Sequence, residues 1–172
     1  YAERIQRSFL ATKELLDSNL KDYFVFFQPK DVVSGDFYWA QKLNNENFVL
    51  ATADSTGHGV PGAIMSLLNI TSLEKAVEHL NNPSEIFDYT RANIISRLKK
   101  DGSETGGKDG MDASLLVFDF LEHNVSLCFF SSFSLFNTYY SIRFMVFLLV
   151  KKKKNIRLFP LSTKSRKSRI CI

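Results

Sequence analysis

The sequence predicts an α+β fold built largely from antiparallel sheets. Strand-like runs come in neighbouring pairs joined by short turn-forming segments. Two helix-periodic stretches lie together between those pairs, instead of alternating with single strands as a parallel sheet requires. The 172 residues are 45% hydrophobic and 13% aromatic, enough for the core of one domain, or one domain plus an appendage.

Residues 1–17 read as a helix. Ile5, Phe9 and Leu16 fall roughly on one stripe with Ala2 and Thr12, while Glu3, Arg4, Arg7, Lys13 and Glu14 lie largely off it. Residues 23–28 are an aromatic and β-branched run, a short strand, which Pro29 ends. Residues 36–43 and 48–54 flank Asn44-Asn45-Glu46-Asn47, whose turn chemistry predicts a β-hairpin. An apolar-periodic stretch over 63–80 predicts a helix, with Pro61 suited to its first turn. Asn82-Pro83-Ser84-Glu85 opens another helix, over 82–100. Residues 101–110 hold four glycines and read as a loop. Residues 111–120 and 124–130 make a second hairpin around Leu121-Glu122-His123. Three segments follow: a linker or switch helix at 1–20, the main domain at 21–130 and a tail at 131–172.

The formal charge of +4 hides a division. Residues 1–130 carry 12 basic and 18 acidic side chains, whereas 131–172 carry 10 basic and no acidic ones. The basic surplus therefore sits in the tail, and nucleic acid is not expected as a partner. The tail also lacks Gly and Ala, and of residues with codons beginning in G it has only Val146 and Val150, against 43 such residues before it. That bias predicts a frameshift product of an AT-rich gene. Competing readings are a transmembrane span over 129–150 followed by four lysines, a basic membrane-surface segment, or a genuine globular continuation. Cys128 and Cys171 fit neither a metal spacing nor a secreted framework, which predicts a reducing, cytoplasmic setting. The chain opens on Tyr1 and reads as a piece of something longer.

The chemistry concentrates in two stretches, Val33-Ser34-Gly35-Asp36-Phe37-Tyr38-Trp39 and Ala53-Asp54-Ser55-Thr56-Gly57-His58-Gly59-Val60-Pro61-Gly62-Ala63. A four-residue loop pairs Leu43 with Phe48 and places Asp36 opposite Ser55, beside Asp54. Both carboxylates then meet at the open end of the hairpin, roughly 5–8 Å apart. Strict pairing puts them on opposite faces, while a one-residue shift or a bulge puts them on the same face, and the sequence leaves both open. Two carboxylates beside a glycine-rich turn suit hard cations, which can clamp a water and a phosphoryl oxygen for in-line attack. The same residues also fit an ordinary strand-turn-helix junction.

These stretches resemble the SpoIIE-type serine phosphatases, a branch of the metal-dependent, protein phosphatase 2C-like (PPM) superfamily. The resemblance runs through Tyr1-Ala2-Glu3-Arg4-Ile5-Gln6, residues 29–39, residues 53–66 and Lys108-Asp109-Gly110-Met111-Asp112-Ala113-Ser114, within 1–130. It implies a four-layer α/β/β/α sandwich, incomplete here at the C-terminus, with 21–130 as the N-terminal part of the phosphatase domain. It implies manganese or magnesium as cofactor, two ions in the complete domain, and hydrolysis of phosphoserine or phosphothreonine in bacterial signalling. The implied substrate is a phosphoprotein such as a STAS-type anti-sigma-factor antagonist, and the implied upstream neighbour is a sensor module, which could tether the parent to a membrane. Asp36 and Asp54 stand where the metal-binding, catalytic aspartates stand, and Ser55 where a backbone carbonyl joins the shell. Asp112 has a weaker claim on an extra metal, and Gly57, His58 and Gly59 would support the ligands from the turn.

The sequence departs from the family after residue 130. No Asn-Asn-Pro-like turn follows, and no aspartate occurs after Asp119. A site short of one carboxylate should bind metal weakly, so this chain is expected to be inactive or nearly so. The alternatives are a non-catalytic module that holds a phosphoprotein or STAS partner, and a fragment attached to a membrane through its tail.

Overall fold

The computed structural model of the chain describes residues 1–29, 31–99 and 109–131. They form α1 (Ala2–Arg7), α2 (Lys13–Asn19), β1 (Asp36–Lys42), β2 (Phe48–Ser55), α3 (Gly59–Val77), α4 (Pro83–Leu98), β3 (Met111–Asp119) and β4 (Asn124–Ser131). The strands make one antiparallel sheet in the order β1-β2-β3-β4. The α+β class and both hairpins therefore agree with the sequence, and one sheet is present among the described residues. Most of the loop over 101–110, and the tail beyond Ser131, lie outside the described residues.

Alternation along each strand sorts the side chains onto two unlike faces. On one, Phe37, Trp39, Val49, Ala51, Leu115, Val117 and Cys128 pack against Ile70, Leu73 and Val77 of α3 and Ile86 and Phe87 of α4. The two helices lie side by side across this face because their apolar residues recur at helical spacing. Asn82 starts α4 by accepting a hydrogen bond from the Ser84 amide at 2.9 Å, with Pro83 in the first turn.

Among the described residues, the reverse face is covered at one end only. Ala40, Phe48, Leu50 and Phe118 pack against Leu16 of α2 and Leu20 just after it, with Tyr23 and Val25 alongside. Further along, Val125 and Phe129 of β4 stay 38% and 55% exposed. Residues 23–28 form no strand. Tyr23, Val25 and Phe27 are half-buried while Phe24 and Phe26 are exposed, so the side chains alternate as in a strand, but no ladder pairs their backbone. A strand is completed by its neighbour, and the described residues supply none here.

The helix expected over 1–17 is two helices. Ser8 hydroxyl donates to the Ile5 carbonyl at 2.6 Å, Thr12 Oγ1 accepts from the Leu15 amide at 3.2 Å as the cap of α2, and the Ala11 amide bonds Tyr38 of β1. Capping at Thr12 outweighs continuation of the helix. The apolar stripe fails with it: Ile5 is 39% exposed, and the buried residue of α1 is Gln6.

Because Leu73 is fully buried between the sheet and α4, Leu73→Ala should cost about 3 kcal/mol. Phe129→Ser on the open face should change stability by less than about 0.5 kcal/mol. Urea midpoints of the two variants check the contrast.

Candidate active site

The turn between β1 and β2 decides the geometry of the acidic residues. Glu46 adopts φ +67°, its amide bonds the Leu43 carbonyl at 3.1 Å, and the Leu43 amide bonds the Asn47 carbonyl at 2.7 Å. The loop is therefore three residues, Asn44 to Glu46, with its last residue left-handed. The four-residue loop expected from the sequence is corrected by one position. Lys42 pairs with Phe48, and Asp36 faces Asp54 rather than Ser55.

Pairing continues across the sheet. Asp54 faces Asp112 and Asp112 faces Ser131. Directly opposed residues of antiparallel strands share a face, with Cβ atoms about 4.5–5.5 Å apart. Asp36, Asp54 and Asp112 thus stand side by side on the less covered face, at one end of the sheet. Asp112 belongs to this row as fully as the other two. Ser131 hydroxyl donates to Asp112 Oδ1 at 2.7 Å and closes the row. The next row inward is Tyr38, Thr52, Ser114 and Phe129, in which the Thr52 and Ser114 hydroxyls bond at 2.8 Å.

Crowding of like charge shows in the protonation of Asp54. Its carboxyl is pushed up from an ordinary 3.8 to about 6, first by partial desolvation, then by the charge of Asp36 and a hydrogen bond with it, then by the charge of Asp112. Two carboxyls can bond each other only with a proton between them. Asp54 therefore keeps its proton in mildly acidic solution, in the place that a cation would neutralise.

The glycine-rich turn after β2 packs against the start of β1. A Cβ on Gly35 would lie 2.6 Å from the Ser55 carbonyl oxygen and 2.7 Å from that of Gly57, and one on Gly62 would press into the Gly57 carbonyl. Only glycine lets the three backbones approach so closely. The Ser55 side chain is turned the other way, where Oγ accepts from Asn69 Nδ2 of α3 at 2.8 Å. What Ser55 can offer the acidic end is its carbonyl. His58 precedes α3, makes no side-chain cap, is 84% exposed and has Nδ1 3.6 Å from Asp31 Oδ2. Gly57 and Gly59, at φ +93° and +59°, bend the turn around it.

As a seat for a divalent ion the arrangement fits in donor type and is short in number. Carboxylate and carbonyl oxygens are the donors that manganese and magnesium take. Among the described residues, however, no group of three or more His, Cys, Asp or Glu side chains converges closely enough to hold a metal ion. The sequence missed two residues that set this geometry. Ser34 Oγ accepts from the Asp36 amide at 3.0 Å, and Gln6 clasps Ser34 from α1. A buried glutamine on a polar helix breaks no periodicity, so no apolar pattern marks it.

No protein-family model matches the sequence, and no curated protein matches it. Among solved structures the chain is similar to the SiaA-PP2C domain of Pseudomonas aeruginosa, with a TM-score of 0.63 and 28% identity. The likeness covers 75% of this chain and 50% of that one, so the chain matches half the length of its structural neighbour. Over that stretch the fold is PP2C-like.

Two outcomes follow from the site. Gly62→Ala should destabilise the protein by about 2 kcal/mol, since backbone must move to admit the methyl group, and thermal unfolding reads this. Between pH 3.8 and about 6 the folded chain holds the Asp54 proton that the unfolded chain has released, so in chelator its stability falls as pH rises through that window. Asp54→Asn removes the fall. Above pH 6 the variant should be the more stable by on the order of 1 kcal/mol after discounting for solvent access, and the two should converge near pH 4 in urea titrations.

Proposed function

We propose that this chain carries the N-terminal half of a manganese- or magnesium-dependent phosphatase domain that removes phosphate from phosphoserine or phosphothreonine of a partner protein. The supporting observation is the row Asp36, Asp54, Asp112 on one sheet face of a PP2C-like fold. In the complete domain the half-covered face would lie against a second sheet, giving a four-layer α/β/β/α sandwich. A STAS-type signalling phosphoprotein is the substrate class the sequence resemblance favours.

Asp36 and Asp54 would hold the cation, with the Ser55 carbonyl as a neutral donor and Asp112 at the flank. When bound there, such an ion would supply Lewis-acid activation of a water and positive charge for a phosphoryl group. The chain's own part is to fix oxygen donors at one sheet end and to release the Asp54 proton. The Thr52 and Ser114 hydroxyls form the polar floor behind them.

Since these ligands are few, the isolated chain is expected to bind manganese weakly and turn over little. Calorimetric titration of residues 1–172 with manganese should give a heat that Asp54→Asn abolishes, while hydrolysis of p-nitrophenyl phosphate stays near background. Turnover that Asp54→Asn abolishes would show the half-domain to be competent alone. A chain that takes up no manganese yet binds a phosphoprotein would be a binding module instead.

A further inference from the structure

Gln6 is the one buried residue of α1, 5% exposed on a helix whose other side chains are exposed. Its amide reaches two distant parts of the chain. Nε2 donates to the Ser34 carbonyl at 2.5 Å and to Ser66 Oγ of α3 at 2.9 Å, and Oε1 accepts from the Ser34 amide at 3.1 Å. One side chain thus takes both backbone groups of Ser34, as a neighbouring strand would, just where β1 has not yet begun. Both Nε2 protons and one Oε1 lone pair are used, which leaves the amide little freedom.

Ser34 passes this fixation on. Its hydroxyl accepts from the Asp36 amide, and the next residue, Gly35, accepts from the Ser55 amide at 3.2 Å. The path from α1 to the acidic row therefore has one intermediate residue. Ser66 anchors the other end, donating to the Ala63 carbonyl at 2.8 Å while accepting from Gln6.

We propose that Gln6 is a positioning residue for the site: by clasping Ser34 against α3 it sets where Asp36 stands opposite Asp54, so that docking of α1 and assembly of the acidic row are one event. Its effect on cation binding rests on the metal-site reading given above, whereas its hold on Asp36 does not.

Gln6→Leu keeps a buried side chain of similar size and leaves both backbone groups of Ser34 unpaired. Amide exchange followed residue by residue should speed about tenfold or more at Ser34, Asp36 and Ser55, with the centres of β3 and α4 at the rate of the unsubstituted protein. Ile5→Ala, on the same helix but outside the clasp, should leave all these rates unchanged. Unaltered rates at Ser34 and Asp36 in folded Gln6→Leu, or a uniform rise at every amide, would overturn the proposal. If Gln6→Leu fails to fold, exchange of the unsubstituted chain in mild urea decides: the α1, Ser34 and Asp36 amides should share one urea dependence, and separate dependences refute the clasp. Manganese affinity should fall about tenfold in Gln6→Leu. If the unsubstituted chain gives no manganese heat, the metal reading fails while the exchange rates still judge the clasp. If manganese binds and Asp54→Asn abolishes it but Gln6→Leu leaves it unchanged, the clasp fails and the metal reading stands.

Discussion

The register of β1 on β2 is the constraint on which the rest of the site depends. Side chains alternate along a strand, so one position of slip would send Asp36 and Asp54 to opposite faces. The left-handed Glu46 closes the loop in three residues and selects the pairing that keeps them together. A non-glycine residue rarely takes that conformation, and here two backbone hydrogen bonds across the turn hold it. The acidic row is thus fixed at the far end of the hairpin, seven residue pairs from the turn that sets it.

Fixing three carboxylates in line opposes folding, because their charges repel. The raised protonation of Asp54 follows from its partial desolvation first and from that repulsion second. What holds the row is backbone geometry on every side. Ladder hydrogen bonds tie β2 to β3, Gly35 and Gly62 crowd the Gly57 carbonyl, and Gln6 and Ser34 grip the start of β1. A site prearranged against its own charge is suited to a cation that arrives after folding.

Much of this was legible in the sequence, and the rest was not, for physical reasons. The two hairpins, α3, α4 and the meeting of Asp36 and Asp54 at one hairpin end follow from alternation, helical period and turn chemistry. The register did not follow, because Asn44-Asn45-Glu46-Asn47 can close as three or four residues and only the conformation of Glu46 decides. Asp112 was placed near the site but not in line with Asp54, since no local signal relates two hairpins separated by two helices. The break at Ser8–Thr12 lost to an apolar stripe that Ile5 does not obey, and the same stripe concealed Gln6. Residues 23–28 have the side-chain pattern of a strand, but pairing is a property of two strands and a single run cannot report it.

The two faces of the sheet differ in how far they are finished. Covered by helices on one face, the sheet has a core of its own in Leu73, Ile70, Val49 and Leu115, all fully buried. On the other face Val125 and Phe129 remain exposed, and so do Phe24 and Phe26 of the segment 23–28, which is unpaired among the described residues. Apolar side chains and unsatisfied strand edges gain from a common cover, since burial of the first and pairing of the second come together in a packed sheet. The acidic row lies at the border of this open face, so its solvent access is fixed by whatever covers Phe129 next to it. On the proposed metal-binding reading, cation affinity and the stability of the second face would therefore be linked quantities. A cover that dries the row strengthens both the repulsion between its carboxylates and their pull on a divalent ion.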